Sequence, residues 1–204
     1  MQFTRPDMRE ITIQINQKHV NFIKDSCKEC NRKYECTGEN AAFCNHMKNI
    51  LVAKYGAAEG CLKESRIRHS IGVANFLFAY AKSHDWSKEE TEDLYLTGLL
   101  HDIGYIDNPK GTDHGRLGAE ILKRNGLNAE ICELISCHGR FIENPSRKQA
   151  LLWLADLCVN RDGDYIGYQK RYESIKERYK NDPERLFQVY RILEYLQIHF
   201  SEYR

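Results

Sequence analysis

Long apolar runs are missing from this chain. No segment approaches the roughly 18 consecutive apolar residues that read as a membrane-spanning helix. The opening MQFTRPDMRE lacks the apolar core of a secretory signal. An excess of one charge is missing too. Thirty Lys and Arg stand against 29 Asp and Glu, a formal net charge of +1, so no strong field favours a nucleic acid or an anionic membrane. Proline is scarce, with four residues in 204, which leaves room for long helices. These absences lead us to expect a cytoplasmic protein with no membrane partner, and nucleic acid is not its expected partner. Hydrophobic residues at 42% and charged residues at 29% fit an ordinary folded protein. In a cytoplasmic chain, eight cysteines read as metal ligands or free thiols rather than disulfides.

The chain divides at about residue 60. Residues 1–60 hold an alternating stretch, ITIQIN (Ile11 to Asn16), that reads as a short strand. A cysteine-rich, turn-like segment follows, then a helix from about Ala41 to Tyr55. Residues 61–204 read as helical throughout. Ile71, Ala74, Leu77, Phe78 and Ala81 recur at helical spacing. Ser87 with Glu90 makes a capping box for the next helix, which runs to His101-Asp102. Thr112 or Asp113 caps a helix ended by Asn125-Gly126, and another covers about Asn128 to His138. ENPSRKQ introduces ALLWLADLCVN, and two amphipathic helices separated by NDP complete the chain. The expected fold class is all-α, apart from the N-terminal strand.

Two places set ionisable groups in apolar surroundings. LYLTGLLHDIGY ends an apolar stretch on His101 and Asp102, and Asp156 interrupts ALLWLADLCV. Burying an ionised carboxylate alone is very costly, so Asp156 needs a cation, a hydrogen-bond donor or a surface position. A shared metal ion would answer both cases, because it supplies the positive charge and takes neutral imidazole as a ligand. His69, His114 and His138 each stand at a helix end or beside a loop, where several helices can aim ligands at one point.

The ordered segments RIRHSIGVA, LLHDIGY, HGRLGAEIL, ISCHG and LLWLADL resemble the motifs of the HD-domain superfamily of metal-dependent phosphohydrolases, over roughly Glu64 to Gly167. The resemblance implies a helical bundle whose minimal ligand set falls on His69, His101, Asp102 and Asp156. Members with two metals add two histidines, matched here by His114 and His138. The pattern is most similar to the dinuclear branch that includes dinucleoside polyphosphate hydrolases, in which an arginine precedes the first histidine by three residues, here Arg66. In members that cleave cyclic dinucleotides, a lysine follows the HD aspartate by three residues and a Gly-Tyr-Pro signature comes after. Tyr105 takes the lysine's place here and the signature is absent, which argues against that subclass.

The resemblance implies a phosphoester or phosphoanhydride hydrolase for a small phosphorylated, nucleotide-like substrate, working through a metal-activated hydroxide. Imidazole and carboxylate ligands suit divalent Fe, Mn, Co, Ni or Zn, with two ions in the site. Asp102 is the natural bridge between them, and Arg66 either stabilises developing charge or is a surface cation. Lys110, Arg116 and Arg140 are candidates to contact phosphate. The alternatives are a mixed-valent di-iron oxygenase and a nucleotide- or redox-sensing binding module.

Cys27, Cys30, Cys36 and Cys44 form C-x2-C-x5-C-x7-C. They suit a structural zinc, a [4Fe–4S] cluster, or a set of free thiols. Cys61, Cys132, Cys137 and Cys158 read as core residues. Tyr165, Tyr168, Tyr172 and Tyr179 form a stripe read as packing, and the basic YQKRYESIKERYK reads equally as a solvated face or as an approach to phosphate. His84, His19 and His199 are given no ligand role. The oligomeric state is left open.

Overall fold

The computed structural model describes residues 64–106, 111, 113–124 and 127–204. Among these residues the α-helices are α1 (Glu64–Ser83), α2 (Lys88–Leu100), α3 (His114–Arg124), α4 (Ala129–Cys137), α5 (Arg147–Cys158), α6 (Tyr168–Arg178) and α7 (Pro183–His199). Short 3-10 turns cover Ile103–Ile106 and Ser201–Tyr203. An isolated antiparallel bridge, Val159 to Tyr165, is the sole β pairing among the described residues. The fold is all-α. The expected strand at Ile11 to Asn16, the helix from Ala41 to Tyr55 and the cluster Cys27, Cys30, Cys36 and Cys44 lie outside the described residues, as do Cys61, Lys110 and Thr112.

Side-chain chemistry sets the helix starts. The Ser87 hydroxyl accepts from the Glu90 N–H while the Glu90 carboxylate accepts from the Ser87 N–H, a complete capping box for α2. Asn128 caps α4 through the Glu130 N–H, Ser146 caps α5 through the Gln149 N–H, and Asp182 caps α7 with Pro183 in its first turn. The tyrosine stripe departs from expectation at its first member. Gly167 takes φ +80 and starts α6 afresh, so Tyr165 precedes the helix and stacks on Phe76.

Helix α1 is apolar on two sides and separates two clusters. Val73, Phe76, Leu77, Tyr80 and Ala81 join α5, α6 and α7 on one side. Ala74 and Phe78 join α2, α3 and α4 on the other. Helix α5 is buried nearly all round, from Gln149 to Ala155 and again at Leu157 and Cys158. That makes it a central element rather than a surface one. Each fully buried Leu on it contributes about 1.5–3 kcal/mol. Asp156 is the half-buried gap in that surface. Cys132 and Cys158 are buried and Cys137 is half-buried.

Candidate metal centre

The end of α2 explains the apolar run that leads into an ionisable pair. His101 is the C-cap of α2 and is completely buried. Its Nδ1–H donates to the Gly98 carbonyl at 2.7 Å. The same local bond recurs at His114 to the Gly111 carbonyl (3.0 Å) and at His138 to the Ile135 carbonyl (2.6 Å). In each case the acceptor lies three residues back along the chain. His69 reaches across the fold instead, with Nδ1 at 3.0 Å from the Asn160 carbonyl. That carbonyl is held in place by a tight loop. The Asn160 side chain accepts from the Asp162 and Asp164 N–H groups, and Gly163 at φ +85 lies so close to α1 that a Cβ there would sit 2.6 Å from the Arg68 carbonyl.

An imidazole whose Nδ1–H is spent on a backbone carbonyl presents the lone pair of Nε2. All four Nε2 atoms are aimed at one place. His69 Nε2 lies 2.9 Å from Asp156 Oδ1. His101, His114 and His138 Nε2 lie 3.7, 3.6 and 3.7 Å from Asp102 Oδ1. His101 Nε2 is buried with no hydrogen-bond partner, an atom that requires an acceptor for its lone pair. His114 Nε2 stands 2.9 Å from His138 Nε2. Two nitrogens bound cis to one ion, with bonds of about 2.1 Å, would be about 3 Å apart. Three overlapping sets place their ligand atoms within 4.8 Å of one another: His69, His101 and Asp102; His101, His138 and Asp156; Asp102, His114 and His138. The donor set fits one or two divalent transition metals and not calcium, which takes oxygen ligands.

A close approach of backbones delivers His114. A Cβ on Gly104 would overlap the His114 carbonyl and sit 2.5 Å from the Gly118 nitrogen. The turn after the His-Asp pair can therefore lie directly on α3 only because residue 104 has no side chain.

Electrostatics agree with ionised carboxylates and with neutral His101 and His114. Burial opposes the Asp102 charge, yet the imidazoles, His101 first, and the Arg66 guanidinium hold its carboxyl well below the usual range. Asp156 is held below it in the same way, chiefly by His69 once burial is overcome. Burial lowers His101 to about 4 and His114 to about 3. His138 moves up, because the Asp102 carboxylate outweighs burial.

Arg66 donates to Asp102 Oδ2 at 2.8 Å and lies 3.1 Å above the Tyr105 ring, which in turn stacks on His114 at 4.1 Å. It holds the HD carboxylate with Oδ1 turned to the imidazoles. Arg66 is thus a half-buried, paired guanidinium rather than a solvated surface cation. His84 stacks on Tyr80 at the surface, and His199 packs on Tyr195.

These groups line a cavity of about 560 Å³ whose other wall comes from α6 and α7. Arg116 and Arg140 reach it, but Arg116 is already paired with Asp113 and Glu120. Arg171 was not singled out from the sequence. It is buried from α6, lines the cavity, and has an Nε without a hydrogen-bond partner. Arg178 lies seven residues on, hence on the same helix face. Their spacing was the available signal, and their polar neighbours concealed it.

A family model described as "HD domain" matches residues 66–186. "Ribonuclease Y" of Mycoplasma mycoides subsp. mycoides is 34% identical over 113 residues, covering 54% of this chain and 20% of that protein. "Ribonuclease Y 1" of Pediococcus pentosaceus is 29% identical over 134 residues, 60% of this chain and 24% of its own. An uncharacterized protein of Methanocaldococcus jannaschii is 31% identical over 77 residues, 37% and 45% of the two chains. The chain spans less than half the length of each of these relatives. No solved structure matches. The match covers more than half of the chain and contains every histidine and carboxylate of the cluster, so the chain belongs to the HD domain family, within the superfamily of metal-dependent phosphohydrolases.

Proposed function

We propose that this protein hydrolyses a phosphoester or phosphoanhydride bond of a small nucleotide-like substrate with two divalent metal ions. The convergence of four imidazole Nε2 atoms on Asp102 and Asp156, each ring fixed through its Nδ1–H, is the observation that carries this reading. His69, His101, Asp102 and Asp156 would hold one ion, and Asp102, His114 and His138 the other. Bound there, such ions acidify water and polarise a phosphoryl oxygen. The chain's own residues do the rest. The backbone carbonyls of Gly98, Gly111, Ile135 and Asn160 keep each ring in the tautomer that a metal ligand needs. Arg66 orients Asp102 through its outer oxygen. The arginines of the cavity wall offset substrate charge. Residues 61–204 would be the catalytic unit, and residues 1–60 a separate segment with its own zinc or iron–sulfur site at the four cysteines.

The names of two relatives favour a second reading, a ribonuclease. The near-zero net charge and a cavity within the 300–1,000 Å³ range of small-molecule sites support the small substrate instead. Metal analysis of protein purified without oxygen, alongside a panel of nucleotides and phosphate esters, tests the proposal. We expect two ions per chain at the HD site and release of phosphate or a nucleotide. One ion at full loading, with His114→Ala leaving metal content unchanged, would refute the dinuclear site. Iron with oxygen consumption and no phosphate release would replace the hydrolase by the oxygenase.

A further inference from the structure

Arg171 holds its charge in a costly place. The residue is 6% exposed, its Nε has no partner, and among the described residues it makes no ion pair. Burial opposes its charge, and the carboxylates whose fields support it are Asp156 first and then Asp102, both of which belong to the metal cluster. A buried guanidinium without a carboxylate in contact costs several kcal/mol, and the cavity it lines gives an anionic partner access to it. Three other guanidiniums of that lining are already engaged. Arg66 is held by Asp102, Arg116 by Asp113 and Glu120, and Arg185 by the Gly111 carbonyl and the face of Tyr179 at 4.4 Å.

We propose that Arg171, continued by Arg178 on the same face of α6, is a binding site for the non-reacting phosphates of the substrate and selects molecules with a chain of linked phosphates over those with one. A guanidinium takes phosphate oxygens in pairs. Seven residues of helix set the two arginines about 10 Å apart along the axis, too far for one phosphate and suited to a row of them leading away from the ions. This rests on the phosphohydrolase reading for its meaning, and its test does not need turnover.

The test is calorimetric titration of the full chain, metal-loaded, with inorganic tripolyphosphate and with orthophosphate. Arg171→Met should weaken tripolyphosphate about 10- to 100-fold, the range for a lost charge-assisted pair, and orthophosphate less than about threefold. Arg171→Lys should restore part of the loss, and metal content should stay at the wild-type value. Arg178→Met should act in the same direction, about 3- to 10-fold, and it decides the matter if Arg171→Met does not fold. Equal losses for both anions, or no loss for tripolyphosphate, overturn the proposal. So does a single-stranded oligoribonucleotide that binds more tightly than tripolyphosphate and is weakened by the same factor. A chain that hydrolyses nothing but still shows the selective loss retains the site and defeats only the hydrolase reading.

Discussion

On one side of the cavity every imidazole is tied to a backbone carbonyl before anything binds, whereas on the α6 side the Nε of Arg171 waits without a partner. Both sides are buried and both carry ionisable groups, so burial alone does not account for the difference. Ligands for an ion must stand within a few tenths of an ångström of one another, and each local bond removes a degree of freedom that the ion would otherwise have to freeze. A guanidinium that meets a flexible chain of phosphates needs charge and reach more than a fixed angle, and the substrate supplies the missing acceptor. On the proposed reading, the metal side is preorganised by the fold and the arginine side would be completed by the substrate.

The strongest way to break this comparison is at Asp102, the carboxylate shared by two of the ligand sets. Asp102→Asn removes the charge that faces three imidazoles and Arg66 while keeping the side chain's shape. Metal ions supply several kcal/mol of transition-state stabilisation, and each 1.36 kcal/mol is tenfold. Activity should therefore fall by about 10³-fold or more, with metal content reduced at the same time. Tripolyphosphate affinity of the metal-free protein should change little, because Arg171 and Arg178 stay where they are. If that affinity fell along with metal content, the two sides would not be independent.

The two sides also differed in how far they could be read beforehand. An aspartate after LLWLA and a His-Asp pair after LYLTGLL stand out because apolar neighbours make an ionised group anomalous. Ser87 with Glu90 stands out because a cap uses local geometry alone. Three of the four histidine tethers are equally local, each to the carbonyl three residues back, and so were legible in principle from histidines at helix ends. The fourth was not. It depends on Asn160 folding its loop around its own side chain and on Gly163 letting that loop touch α1. Arg171 was hidden for the opposite reason. Its helix reads YQKRYESIKER, and nothing local separates a guanidinium buried in a cavity wall from one in water. Tyr165 was assigned to the helix stripe because a positive φ at Gly167, which shifts the start of α6, leaves no periodic trace.

A smaller effect sharpens the comparison from the metal side. Gly104→Val would force a branched Cβ into the backbone of α3 at His114 and Gly118. Overpacking of this kind costs about 1–3 kcal/mol, which for a chain of this size lowers the melting temperature by about 2–12 °C. His114 should move with α3, so the variant should hold fewer ions than wild type even below its melting point. A variant that is destabilised but fully loaded would mean that His114 tolerates displacement, and that the local Nδ1–H bond matters more than the packing beneath it.

The smallest effect belongs to the arginine side. Asp182 accepts from the Arg185 N–H at 3.1 Å and caps α7 ahead of Pro183. Asp182→Ala removes a cap worth about 1 kcal/mol, or about 2–4 °C in melting temperature. The start of α7 carries Arg185, whose guanidinium covers Tyr179 at the cavity wall. Loosening that turn should weaken tripolyphosphate binding by a few-fold, yet leave the imidazoles, their carbonyl tethers and the metal content as they were. Differential scanning calorimetry and elemental analysis on the same preparation separate the two consequences. Metal lost in proportion to stability would show that α7 supports the ligand cluster directly, and that the two sides of the cavity form a single cooperative element.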